Sequence, residues 1–184
     1  MPPEDAAPVI SPTDPVGALR VPAFRRYLVG ALLETMGGQV RTAAVGWDLY
    51  ERTGSTLTLG YVGLVLALPV VLLALPAGAA ADRFSRRAVL AASAALMLVA
   101  NLGLAWAAHV EAPVLVIFSL LFVAGVASAF LRPTSQALVP GLVPLPLFPN
   151  AVKWGSVRWQ FGATLGPVGA GLILPNRGSV RSGR

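Results

Sequence analysis

Two stretches without a single Asp, Glu, Lys, Arg or His decide what this chain can become: Thr53 to Ala81 and Ala88 to Ala108. A bilayer crossing takes about 20 mostly apolar residues at a rise of about 1.5 Å each, and both stretches are long enough. Between them, Asp82 to Arg87 holds one Asp and three Arg, charges that hydrocarbon does not accommodate. The reading is two spans joined by a tight basic turn on one membrane face. Short loops rich in Lys and Arg stay cytoplasmic, which places that turn inside and predicts a cytoplasmic N-terminus with the Glu51 to Thr56 turn outside.

Composition agrees and removes other classes. The chain is 55% hydrophobic and only 12% charged, with a mean hydropathy of +0.71, where a soluble domain carries about a quarter charged residues. A net charge of +6 could suit nucleic acid, but the basic residues fall at span ends as membrane orientation requires, and no nucleic-acid partner is expected. Cysteine is absent and His109 is the one histidine. No disulfide framework, metal cluster or cofactor is therefore expected, and His109, in a loop, is given no role. Neither H-E-x-x-H nor G-x-S-x-G occurs, so the chain does not read as an enzyme.

Taken in order, residues 1–24 are read as a disordered cytoplasmic tail, because Met1 to Leu19 holds five prolines and three acids and no signal-peptide pattern. Helix one is placed over about Tyr27 to Tyr50, and its charges Glu34, Arg41 and Asp48 stand seven apart. That spacing makes one stripe drifting about 20° per step, with members about 10.5 Å apart along the axis, too far to pair with one another. Their partners are expected on other helices or in water. Ionised groups facing lipid cost at least about 2.5 to 3.5 kcal/mol each, so such a stripe lines an interior or an aqueous path; structural pairing without substrate contact is the other reading.

Helix two is expected from Leu57 to Ala81, interrupted by Pro69 and Pro76, with Gly60, Gly63 and Ala67 as a small-residue packing face. Helix three, Ala88 to Ala108, has Asn101 as interhelical glue. Helix four begins near Pro113, carries the small-residue stretch Gly125 to Ala129 and reaches Arg132, read as snorkelling, facing a cavity or pairing with Asp82. Pro140, Pro144, Pro146 and Pro149 then predict an irregular cytoplasmic connection. A fifth helix has a short uncharged stretch from Trp159 to Leu174 and must borrow preceding turns, with Arg158 and Lys153 snorkelling to the interface. The transmembrane part is therefore residues 25–174, followed at 175–184 by a basic tail that breaks the orientation rule.

The ten residues Gly78 to Arg87, G-A-A-A-D-R-F-S-R-R, resemble the loop signature of the major facilitator superfamily, G-x-x-x-D-R-x-x-R-R between its second and third helices, at every specified position. W-D-L-Y-E-R-T-G-S (Trp47 to Ser55), R-P-T-S-Q-A-L-V-P (Arg132 to Pro140) and N-A-V (Asn150 to Val152) are similar to the bacterial exporter branch that contains enterobactin-type siderophore exporters and macrolide efflux proteins. G-A-T-L-G-P-V-G-A-G (Gly162 to Gly171) is similar to the antiporter motif G-x-x-x-G-P-x-x-G-G, with Ala170 in place of one glycine and Lys153 where the longer motif has another.

The resemblance implies an all-α membrane protein with about five transmembrane helices of the N-terminal six-helix half of a twelve-helix fold. It implies alternating access and proton-coupled export of a small amphiphilic molecule, a drug or siderophore, across the bacterial cytoplasmic membrane. Glu34, Arg41, Asp48 and Arg132 would serve the cavity and proton coupling. Gly78, Asp82, Arg83, Arg86 and Arg87 would gate the cytoplasmic side against the C-terminal half. Gly162, Gly166, Pro167 and Gly171 would be the antiporter-like element. The expected partners are the bilayer, the substrate, protons and the missing C-terminal half or a full-length relative. The chain reads as a truncated or frameshifted N-terminal part; the alternative is a non-transporting fragment that associates with a full-length relative.

Overall fold

A computed structural model describes residues 16–173. Among them every regular element is helical: α1 (Pro22–Thr53), α2 (Leu57–Leu72), α3 (Ala74–Arg83), α4 (Arg86–His109), α5 (Val114–Leu142) and α6 (Phe148–Ile173), with 3-10 turns at Gly17–Arg20 and Leu145–Leu147. The tail before residue 16, the basic tail 175–184 and the surroundings of Asp82, Gly166, Pro167 and Gly171 lie outside what is described. α4 and α5 are each long and apolar enough to cross a membrane, and α2 with α3 makes a third span if the bent pair is taken as one.

The helix ends follow local chemistry. Pro22 opens α1 in the first turn, where its missing N–H costs nothing. The helix closes on Gly54, whose φ of 63° lies in the left-handed region while its N–H bonds the Tyr50 carbonyl, a conformation glycine adopts without a Cβ penalty. Between α3 and α4 only Phe84 and Ser85 are non-helical, so the basic turn is tighter than its six charged-rich residues predict. Ser85 Oγ accepts from the Ala88 N–H at 3.3 Å and caps α4, while Arg86 Nη1 donates to the Ala137 carbonyl of α5 at 2.9 Å.

The second span bends by 50° between α2 and α3, at Leu73. The cause is Pro76, whose ring excludes the Leu72 carbonyl four residues back. Pro69 lies inside α2 and is buried against α5: a Cβ added to Gly125 would sit 2.9 Å from both Pro69 Cγ and the Leu66 carbonyl oxygen. The Gly125 to Ala129 stretch therefore packs as expected. Gly60, Gly63 and Ala67 do not, since a Cβ at either glycine would meet nothing within 4 Å and Ala67 is exposed; Gly63 and Ala67 border open space and not a packed helix.

Two further expectations are corrected. Residues 17–24 are folded, because Ala18 and Phe24 are fully buried in a cluster with Val143, Leu147 and Ala151. Pro140 lies within α5; the exposed Gln136 four residues earlier leaves its carbonyl to water. The irregular connection is correspondingly short, and α6 starts at Phe148 with Pro149 in its first turn. With 26 residues it runs about 39 Å, because the turns from Phe148 to Arg158 precede the uncharged stretch, as expected.

α1 packs along α6, and α5 packs against α4, α2 and α3. Leu49, Val62, Leu104, Ala107, Ile117 and Leu121 fill the end where α1 and α4 finish and α2 and α5 begin. Met97, Ala100, Ala124, Ala127 and Leu131 join α4 to α5 farther along.

Candidate functional site

Toward the end of the molecule that carries the basic turn, the helices part. A cleft of about 830 Å³ lies between α1 and α6 on one side and α2, α4 and α5 on the other. Its apolar wall includes Leu66, Val70, Leu90 and Leu131. At the far end it is stopped by the Leu49 cluster. Arg52 fastens that closed end: its Nε donates to Asp48 Oδ1 at 3.0 Å, and its Nη1 donates to the Ala112 carbonyl in the α4–α5 turn at 2.9 Å.

The charged stripe divides along α1. Glu34 and Arg41 line the cleft, and so does Arg132 from α5. Asp48 does not; it pairs with Arg52 one turn on at 3.0 Å, so its partner is on its own helix and not on another. Arg41 Nη1 donates to Met97 Sδ at 3.0 Å and to Asn101 Oδ1 at 3.1 Å. Asn101 thus joins α4 to α1 through the guanidinium, and the fields of Glu34 and Arg132 reach the same group. In the basic turn, Arg83, Arg86 and Arg87 are exposed, and a Cβ at Gly78 would meet nothing within 4 Å. The turn leaves an open face beside the cleft.

Arg158 is the residue sequence reasoning misplaced. It does not snorkel to an interface; its Nη1 donates to the Ala31 carbonyl at 2.7 Å and to Thr35 Oγ1 at 3.4 Å, across the α1–α6 contact and at the cleft wall. Gly162, one turn on, touches the same neighbour: a Cβ there would lie 2.6 Å from Thr35 Cγ2. Residues four apart share a helix face, so a glycine suited to close packing at 162 was the available signal that Arg158 also faces a helix. Gln39, Thr35 and Gln136 add neutral polar groups to the lining, and nothing in the periodicity marks them.

The profile that describes transmembrane secretion effectors matches residues 13–182. The chain belongs to that family, within the major facilitator superfamily. This member of the family is 25% identical over 150 residues to the staphyloferrin A transporter of Staphylococcus aureus (strain NCTC 8325 / PS 47), covering 80% of the chain and 38% of the relative. It is 27% identical over 151 residues to macrolide efflux protein A of Streptococcus pyogenes, covering 82% of the chain and 37% of the relative. The chain thus spans less than two fifths of the length of these relatives. No solved structure matches it. Family and fold together make it a helical membrane protein.

Proposed function

We propose that the chain is the N-terminal part of a proton-coupled exporter of small amphiphilic molecules in the bacterial cytoplasmic membrane, working by alternating access. The observation that carries this reading is the cleft: a charged, partly apolar cavity that ends blind at the Leu49 cluster and lies toward the basic turn. With the basic turn cytoplasmic, this is an inward-facing arrangement. The Asp48–Arg52–Ala112 linkage is then the external closure that must open in the other state. Staphyloferrin A and macrolides, the compounds in the relatives' names, are the kind of cargo this cavity volume suits.

Glu34 is the proton carrier in this scheme and Arg41 the fixed cation. An arginine keeps its proton, whereas a carboxyl can take one up and give it back as its surroundings change. Opening and closing the cleft changes those surroundings. The face left open at Gly78 and the basic turn is where a second bundle would dock to gate the cytoplasmic side, with Asp82 as its anionic contact. Gly162, Gly166, Pro167 and Gly171 would serve as the flexible antiporter element of α6.

The test is export in proteoliposomes holding the protein as its host makes it, driven by an imposed pH gradient. Glu34→Gln is expected to abolish the dependence on the gradient, and Arg41→Lys to keep part of it. Full gradient-driven export by Glu34→Gln would remove Glu34 from the coupling.

A further inference from the structure

The cleft's charge is lopsided. Arg26, Arg41, Arg132 and Arg158 line it, and Glu34 is the one carboxylate among its lining residues. Arg26 and Arg132 stand toward the end where cationic side chains orient a membrane chain. Arg41 and Arg158 have no such reason, since each lies well inside a long helix. Their contacts to Asn101, Met97, Ala31 and Thr35 use one guanidinium nitrogen each. The Nε of each is buried without an acceptor. Among the described residues no carboxylate pairs with either, and the ion pair is Asp48–Arg52.

A cation inside a span is costly; at Arg41 the field of Glu34 offsets part of that cost and the field of Arg132 adds to it. A guanidinium offers five N–H donors in a planar fork that fits a carboxylate. The cleft holds one carboxylate against four guanidiniums and supplies donors for a further anion. Beside these charges, Leu66, Val70, Leu131 and Trp159 form an apolar wall. Arg158 and Trp159 also line a neighbouring cavity of about 520 Å³ among α1, α5 and α6, so the apolar part of a ligand has space on either side of Arg158.

We propose that the cleft selects amphiphilic anions, with a carboxylate drawn to the guanidiniums of Arg41 and Arg158 and the hydrocarbon laid along the apolar wall. This names the substrate class of the exporter reading above and rests on that reading for transport, though not for binding.

Three probes with the same fluorophore and different charge separate the possibilities: dansylglycine (anionic), dansylamide (neutral) and dansylcadaverine (cationic), titrated against the full chain in nanodiscs of neutral lipid. Dansylglycine is expected to bind about tenfold more tightly than dansylamide, the gain of one charge-assisted hydrogen bond, with dansylcadaverine weakest. Arg158→Gln and Arg41→Gln should each remove most of that preference while changing dansylamide affinity little. Arg158→Lys, which keeps the charge if the Gln variant fails to fold, should retain a preference for the anion. Equal or tighter binding of dansylcadaverine, no binding of dansylglycine, or an undiminished preference in folded Gln variants would overturn the proposal. Export of the same probes keeps the two readings apart. Dansylglycine bound but never exported under a gradient would defeat the exporter reading alone, and gradient-driven export of dansylcadaverine without binding of dansylglycine would defeat the anion site alone.

Discussion

At Gly162 an added Cβ would come within 2.6 Å of Thr35 Cγ2 and 2.9 Å of Thr35 Cβ, so α6 lies where it does against α1 because no side chain intervenes. Overpacking of this kind costs about 1 to 3 kcal/mol. Gly162→Ala is expected to lower the unfolding free energy by that amount, read from denaturant titration in mixed micelles, and Thr35→Ser in the same background, which removes Cγ2, should return part of the loss. An additive double variant would show that the two residues do not press on each other. The individual positions differ in how far the sequence exposed them. Glu34 and Arg41 were legible because heptad spacing of charges is a one-dimensional pattern. Arg158 was not, because snorkelling outward and bridging inward look the same until the neighbouring helix is in place.

Helix boundaries were mostly written in local chemistry: Pro22 to open α1, Gly54 to close it, Ser85 to cap α4. The α4–α5 turn holds one exception. Glu111 has φ of 50°, and the Ala112 N–H reaches back to the Ala107 carbonyl at 2.8 Å, a helix end in which glycine normally takes the left-handed position. A non-glycine residue there costs about 1 to 2 kcal/mol, partly offset by the greater unfolded freedom of glycine. Glu111→Gly is therefore expected to stabilise the protein by up to about 1 kcal/mol, and a lowered unfolding midpoint would show that the Glu111 side chain contributes more than its backbone costs. The bend at Leu73 was only half legible. Two prolines announced it, but Pro69 is absorbed by close packing on Gly125 while Pro76 breaks the helix, and only the neighbour decides which of the two kinks.

For the assembled bundle, orientation is the property most open to test. Trp47, Tyr50, Tyr61 and Trp106 are exposed toward the closed end of the cleft, where amphipathic rings suit a membrane interface, and the basic turn lies toward the other end. The chain has no cysteine of its own. Ser55→Cys is expected to react with an impermeant thiol reagent added outside intact cells, and Phe84→Cys only after the membrane is opened. Ser85 is unsuitable because its hydroxyl caps α4. Faster outside labelling at position 84 than at 55 would reverse the inward-facing assignment and with it the direction of transport.

What the linear order of residues settled was membrane residence, the family's loop signature and the charged face of α1. Each depends on short-range periodicity or on the unfavourable free energy of charge in hydrocarbon, which acts on a segment whatever surrounds it. The cleft itself, the bridge from Arg158 to Ala31 and Thr35, the pairing of Asp48 with Arg52 and the open space beside Gly60 and Gly63 were decided only when the helices packed. Those features depend on which side chains meet across helices far apart in sequence, and a guanidinium or a glycine has the same local preferences whether it faces lipid, a neighbour or a cavity.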